Sequence, residues 1–156
     1  MQSSDFFTLP YRMEYTFERP DSGHWIQYFA GGVIVFEGSF ATSLANSQQH
    51  WAPDSLAGAR ITLLSGASDQ HSCFELLHSR YDNTTYSARK LGALDPIQGT
   101  YVVQKMSARS LVEEDSDSNG LRYVRVYTFA DARGGKWQQA DIASGERTEG
   151  VFRYND

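Results

Sequence analysis

Apolar and polar residues alternate with a period of two along most of this chain. In the clearest stretch, Tyr11, Met13, Tyr15 and Phe17 occupy every second position, and charged or polar residues occupy the positions between them. A period of two places successive side chains on opposite faces of a β-strand. Residues 11–18 are therefore predicted to form a strand with one apolar face.

The alternation recurs to the C-terminus, with turn residues between the stretches, and gives ten candidate strands. They cover residues 11–18, 24–30, 33–40, 59–64, 73–80, 84–91, 99–112, 121–129, 136–142 and 147–154. Many strands joined by short turns favour a closed barrel, which leaves no exposed sheet edge, and a sandwich is the alternative. We expect an all-β protein, a single antiparallel β-barrel of about 8–10 strands, with residues 1–156 as one domain.

A hairpin is predicted between the second and third strands. Gly31 and Gly32 separate residues 24–30 from residues 33–40, and a glycine pair supplies the positive φ angles of a primed two-residue turn. Glu37 shares one face of the second arm with Val33 and Val35, and Ile34 and Phe36 lie on the other. Both faces are thus largely apolar and are expected to be covered.

The expected architecture is broadly lipocalin-like or calycin-like. Gly23, His24 and Trp25 also resemble the Gly-x-Trp sequence near the start of lipocalins. In lipocalins that sequence opens the first strand, whereas here the strand at residues 11–18 precedes it. The resemblance is thus one of architecture, and it names no family for this chain.

The alternation stops over residues 41–58. Ser43 is a candidate cap for a short helix that runs to Trp51, and Pro53 would end it. Connections of this length are often lids over a binding site. Leu44, Trp51 and Leu56 give this segment apolar side chains that can cover such a site. In the alternative interpretation, the segment plugs the bottom of the core.

Composition narrows the classes of protein. The chain has 156 residues, a single cysteine and a net charge of −5. One cysteine excludes an internal disulfide, which together with the polar start of the chain favours the cytoplasm. The acidic balance argues against nucleic acid as a partner, and no apolar run approaches the roughly 20 residues that span a bilayer.

Arg125 is the most informative charged residue of the predicted strands. It lies between Tyr123 and Tyr127 on one face of its strand. If that face points into a barrel, the cation must be paired, and Glu37 and Glu75 are the carboxylates expected inside. In the alternative, the valines of the opposite face form the core and Arg125 stacks on the tyrosines outside.

His71, Cys73 and Glu75 could face the same way on one extended strand, at steps of roughly 6.5 to 7 Å. These are metal-ligating residue types, but a site needs further ligands from other strands. A lone cysteine is more often a small buried apolar residue. We therefore predict neither a metal ion nor a cofactor.

An acidic run covers residues 113–120. Its Asp115-x-Asp117-x-Asn119-Gly120 sequence resembles the first half of an EF-hand calcium loop. The glutamate that closes such a loop is missing, because Val126 occupies its position. An acidic hairpin tip that ends in Asn-Gly, a strong turn signal, is the preferred interpretation.

No motif for nucleophilic catalysis or phosphate binding is present, so three functions are weighed. The first is a barrel that binds a small, partly aromatic or hydrophobic molecule in its interior. Its expected ligand contacts are Tyr28, Trp51, Tyr123, Tyr127 and Gln139.

The second function is a cofactor-independent isomerase, cyclase or lyase. In it, Glu37 or Glu75 is the general acid or base and Arg125 stabilises developing negative charge. The third function is a dimeric interaction module whose interface is the tyrosine-rich face. A small-molecule partner and a homodimer are thus the associations expected from the sequence.

Overall fold

A computed structural model describes residues 11–20, 22–29, 34–41, 50–65, 75–90 and 92–155. The chain divides into two compact units, residues 1–50 and residues 51–156. Each described element is a strand, and the described residues contain no helix. The expectation of an all-β fold is confirmed, whereas the assignment of residues 1–156 to one domain stays a prediction.

The first unit holds a three-stranded antiparallel sheet in the order β1-β2-β3. Its strands are β1 (Tyr11–Arg19), β2 (Ser22–Phe29) and β3 (Ile34–Ala41). Phe29 pairs with Ile34, which is the register that a two-residue turn at Gly31–Gly32 would give. The predicted hairpin pairing is confirmed, while the turn itself lies outside the described residues.

The second unit holds the barrel. Its strands are β4 (Arg60–Ser65), β5 (Glu75–Tyr81), β6 (Thr85–Lys90), β7 (Ile97–Ser107), β8 (Ser110–Asp117), β9 (Arg122–Asp131), β10 (Gly134–Asp141) and β11 (Arg147–Asn155). Each strand pairs antiparallel with the next one along the chain, and β11 pairs with β4 to close the barrel. The predicted barrel is confirmed with eight strands, and β1–β3 form their own sheet.

Alternation along each barrel strand separates inward from outward side chains. The inward-facing residues include Ile61 and Leu63 of β4, Ser79 and Tyr81 of β5, Tyr86 and Ala88 of β6, Tyr101 and Val103 of β7, Leu111, Glu113 and Asp115 of β8, Tyr123, Arg125, Tyr127 and Phe129 of β9, Trp137 and Gln139 of β10, and Phe152 and Tyr154 of β11. Most of them are buried, and aromatic side chains are the largest group among them. An eight-stranded barrel is just wide enough for side chains to fill.

One predicted strand, at residues 99–112, is in fact two. The chain turns at Ala108 and Arg109, between β7 and β8. The Ser107 hydroxyl accepts the N–H of Arg109 at 3.1 Å and lies 2.7 Å from the Ser110 hydroxyl. The prediction was wrong here because serine side chains, rather than a glycine or proline, make the turn.

The acidic run also differs from the prediction. Asp115 belongs to β8, which continues to Asp117, so only the Asn119–Gly120 end is a turn. There the Asp117 carboxylate accepts the N–H groups of Asn119 and Leu121 at 2.8 and 3.0 Å, and Gly120 has a φ of 81°. The Asn-Gly turn is confirmed, but all four acidic residues of the run lie in the barrel strand β8.

The segment before β4 is described from residue 50. Residues 50–58 contain no helix, and the remainder of the predicted helix lies outside the described residues. The N–H groups of Trp51 and Ala52 both donate to the carbonyl of Ala108 at 2.9 Å, and Leu56 is fully buried in the barrel core. This described part fits the plug interpretation. In the described chain, no helix combines the length and hydropathy that crossing a membrane requires.

Candidate functional site

The barrel interior contains a buried ion pair between β8 and β9. Glu113 and Arg125 are directly opposite in the register of these strands, with 3.1 Å between Oε2 and Nη1. Glu113 is fully buried and Arg125 is only 5% exposed. Since charges are costly to bury without partners, the remaining polar atoms of this pair must also be satisfied.

Two tyrosine hydroxyls satisfy the carboxylate of Glu113. Tyr81 Oη donates to this carboxylate, 3.0 Å from each oxygen, and Tyr127 Oη donates to Oε2 at 2.9 Å. Arg125 Nη1 in turn donates to Tyr127 Oη at 3.2 Å. The ion pair is thus embedded in a hydrogen-bonded network whose members come from β5, β8 and β9.

Asp115 and Gln139 complete the surroundings of the arginine. Arg125 Nε donates to Gln139 Oε1 at 2.8 Å, and Nη2 contacts the same oxygen. Asp115 Oδ2 lies 3.2 Å from Arg125 Nη1 but accepts no hydrogen bond in the described structure, because the N–H does not point at it. Tyr86 Oη donates a long hydrogen bond, 3.4 Å, to the other oxygen of Asp115. Asp115 is therefore the least satisfied member of the cluster.

Burial and charge shift the titration of these groups. Burial raises the pKa of Asp115 to about 7, and the nearby Glu113 adds to the rise, while Arg125 opposes it. Burial and the Glu113 charge hold the pKa of Tyr81 well above its ordinary value. Burial lowers the pKa of Arg125, but Tyr127 and the two carboxylates outweigh this effect and raise it. Near neutral pH, Asp115 is thus the carboxyl group poised to gain or lose a proton.

A cavity of about 370 Å³ lies where Tyr81 and Tyr86 flank the turn between β5 and β6. Both tyrosines line it, and their hydroxyls reach the carboxylates of Glu113 and Asp115. The other lining residues are Gly58, Arg60, Arg80, Asp82, Thr85, Ser87 and Gln98. The cavity therefore combines two aromatic residues tied to the interior cluster with polar residues of the outer barrel wall.

The structure brings together three residues that the sequence proposed for the site. Arg125, Tyr127 and Gln139 are in direct contact inside the barrel. Tyr123 is half-buried, and its inward position on β9 is directly opposite Asp115. The alternative with Arg125 on the outside is wrong, and Tyr127, with no exposed surface, is not available for a dimer interface.

Three other predicted residues, Tyr28, Glu37 and Trp51, are also described. Glu37 is exposed on β3, so the expectation that both faces of this strand are covered is wrong at this position. Tyr28 of β2 donates to Glu14 at 3.2 Å and stacks with Arg12, within the three-stranded sheet. Trp51 packs against the guanidinium of Arg109, 4.2 Å from its ring centre.

Glu75 begins β5, and its side chain lies outside the described residues, as do His71 and Cys73. Among the described residues, no three His, Cys, Asp or Glu side chains are placed to hold a metal ion. The catalytic roles assigned to Glu37 and Glu75 stay predictions.

Sequence reasoning missed the carboxylates that pair with Arg125. Both Glu113 and Asp115 fall in the run 113–120 that the sequence predicts as an acidic hairpin tip, because the turn at Ala108 was not recognised. Their spacing carried a usable signal: Leu111, Glu113 and Asp115 share one face of any strand that contains them. This face begins with the apolar Leu111 and continues with two carboxylates. Such a sequence of residue types is expected where a buried polar cluster adjoins an apolar core.

Comparison with known protein families, curated proteins and solved structures gave no match in any of the three. The geometry of the cavity and of the buried cluster is therefore the basis of the functional proposal.

Proposed function

We propose that this protein binds a small, partly polar aromatic molecule in the cavity beside Tyr81 and Tyr86. The observation that carries the proposal is the cavity itself. Its volume of about 370 Å³ falls within the range of small-molecule sites, and two tyrosines are among its lining residues. Of the two, Tyr86 keeps more exposed surface, 9% against 2% for Tyr81, and its flat ring offers a stacking surface with little conformational freedom to lose on binding.

The two tyrosines are held in place before any ligand arrives. Tyr81 donates to Glu113 and packs edge-on against Tyr101, with 4.9 Å between ring centres. Tyr86 donates to Asp115, and its ring packs closely over Gly99. Side chains that are already ordered lose little entropy on binding, which favours affinity.

The proposal places the ligand at the barrel wall. Aromatic side chains pack around the ion pair in the barrel interior, and the cavity opens beside them. The sequence hypothesis of a ligand-binding barrel is retained in this form, together with the expected cytoplasmic location.

The test compares two tryptophan substitutions on the outer wall. Ser87 lines the cavity, whereas Thr100 faces outward on β7 and does not line it. Phenol and 2-naphthol, both neutral at pH 7, are titrated and followed by NMR of ligand and protein. We expect saturable binding to the native protein and to Thr100→Trp, and loss of binding in Ser87→Trp. Equal binding by both variants, or none by the native protein, would overturn the proposal.

A second candidate function is acid–base catalysis, and the state of Asp115 favours it. The pKa of Asp115 is raised to about 7 by burial, and its Oδ2 accepts no hydrogen bond. A carboxyl group of that pKa can donate or accept a proton at neutral pH, and Arg125 could stabilise developing negative charge. In this version Asp115 is the general acid or base.

A screen of isomerisation, cyclisation and elimination substrates would test the catalytic candidate. Asp115→Asn should abolish any turnover while circular dichroism stays native. Asp141→Asn is the matched control and should stay active. Asp141 lies at an exposed turn, where its carboxylate accepts the N–H of Ala143. Full turnover by Asp115→Asn would remove the catalytic assignment.

A further inference from the structure

Two arginines face each other across neighbouring strands at the cavity. Arg60 of β4 and Arg80 of β5 are directly opposite in the register, and both are exposed. Tyr81 N–H donates to the carbonyl of Ala59, so the adjacent Arg60–Arg80 pair is of the non-hydrogen-bonded type, in which side chains are closest. Like charges directly opposite each other repel and destabilise a sheet, and this applies to the guanidinium groups of Arg60 and Arg80.

No carboxylate relieves this repulsion in the described part of the chain. Neither Arg60 nor Arg80 is within ion-pair distance of an acidic side chain among the described residues. Asp82 lines the same cavity, but its Oδ1 accepts the N–H of Asn83 at 2.8 Å. With two arginines and one aspartate, the cavity lining carries one net positive charge.

Neutral hydrogen-bonding groups extend the arginine pair into a row. Arg80 is opposite Ser87, and Ser87 is opposite Gln98, so four polar side chains follow one another across β4 to β7. All four line the cavity, together with Thr85. Guanidinium, hydroxyl and amide groups are all hydrogen-bond donors suited to an oxyanion.

The neighbouring row on the same barrel face adds positive charge. Arg153 is opposite Thr62, which is opposite His78, which is opposite Arg89. Arg153 and Arg89 are exposed, so this face concentrates arginines in a chain whose net charge is −5. A local field of opposite sign to the net charge attracts anions to one place.

We propose that Arg60 and Arg80 form a phosphate subsite, and that the ligand of the cavity is a phosphorylated small molecule. This inference rests on the proposed function and names its ligand class. Arginine binds phosphate oxygens with paired, charge-assisted hydrogen bonds, and a dianion between two guanidiniums removes their mutual repulsion. Tyr81 and Tyr86 would contact the organic part of the same ligand.

The experiment uses three probes: inorganic phosphate, phenyl phosphate and phenol. Each is titrated by calorimetry or NMR into the native protein, into Arg60→Gln/Arg80→Gln, and into Arg133→Gln/Arg147→Gln. The last variant removes two exposed arginines that do not line the cavity. We expect Kd for phenyl phosphate to rise roughly tenfold or more in the first variant and less than about twofold in the control.

A stability measurement supplies an independent readout. Without phosphate, Arg80→Gln should raise Tm because it removes the like-charge pair, and phosphate should raise Tm of the native protein but not of this variant. An unchanged Tm in both comparisons would contradict the subsite.

The probes separate this inference from the proposed function. If phenol binds but neither phosphate compound does, the phosphate subsite is overturned and the aromatic site in the cavity stands. The same conclusion follows if both double variants weaken the binding of phenyl phosphate equally. If inorganic phosphate binds through Arg60 and Arg80 but phenol and the phenyl group add nothing, the subsite stands with free phosphate as its occupant. In that case, the aromatic ligand of the proposed function is overturned.

Discussion

Glu113 and Arg125 face each other across β8 and β9 with 3.1 Å between carboxylate oxygen and guanidinium nitrogen, and both are buried in the barrel. Tyr81 and Tyr127 donate to the same carboxylate, so this pair is the centre of the interior network. Breaking a buried pair by removing one partner leaves an uncompensated charge, which is usually more harmful than replacing both partners.

Glu113→Gln tests the contribution of this pair. The substitution keeps the volume of the side chain and removes its charge, so Arg125 retains only Asp115 as an ionic partner. We expect the free energy of unfolding to fall by about 3 kcal/mol, measured by urea denaturation. Glu149→Gln, at an exposed position of β11, should change it by less than about 0.5 kcal/mol. A loss below about 1 kcal/mol for Glu113→Gln would show that the network tolerates an arginine whose only ionic partner is Asp115.

The raised pKa of Asp115 predicts a pH dependence of stability. Its pKa is about 7 in the folded protein and about 3.9 in an unfolded chain. The folded state therefore holds this proton more tightly than the unfolded chain does. The contribution of Asp115 to the free energy of unfolding is fully present below pH 4 and is lost as the pH rises through 7. The loss amounts to at most roughly 4 kcal/mol.

Asp115→Asn isolates that contribution, because asparagine does not titrate. Urea denaturation at pH 4.5, 6 and 7.5 should show that the difference in stability between Asp115→Asn and the native protein grows in favour of the variant as the pH rises. A constant difference over this range would mean that the carboxyl group titrates normally.

Gly99→Ala is expected to disturb the cavity through Tyr86. A Cβ at this position would lie 2.5 Å from the Tyr86 ring and 2.5 Å from the backbone oxygen of Ser116. The ring or the strand must move, at a cost of about 1 to 3 kcal/mol in unfolding free energy. Phenol binding should weaken in parallel. Thr100→Ala, one residue further along β7, is the control and should keep binding, whereas native-like binding by Gly99→Ala would exclude Tyr86 from the site.

The stacking of Arg109 on Trp51 is expected to stabilise the described segment that precedes β4. The guanidinium lies 4.2 Å from the centre of the Trp51 ring. A double-mutant cycle with Trp51→Phe and Arg109→Gln should give a coupling of about 0.5 to 1 kcal/mol, measured by thermal unfolding. Neither residue lines the cavity, so phenol affinity should not change. A loss of phenol affinity would restore the predicted ligand-binding role of Trp51.

The alternation of residue types was sufficient to predict the strands, because period two has one structural meaning when turn residues recur at short intervals. It also grouped Arg125, Tyr127 and Gln139 as candidate site residues, but it left open which face of each strand points inward, with Arg125 on the outer surface as the alternative. The structure places all three inside the barrel. The turn at Ala108 was not predicted, because the residues that form it are two serines with hydrogen-bonded hydroxyls rather than a glycine or proline.

Tertiary structure alone decided which residues meet. Alternation assigns a side chain to a face but does not say which strand lies beside it or in what register. Closure between β4 and β11 and the register of β8 with β9 set Glu113 against Arg125, while the register of β4 with β5 set Arg60 against Arg80. The sequence by itself predicted an all-β barrel and left open which strand faces point inward, whereas the long-range pairing of strands determined the candidate site.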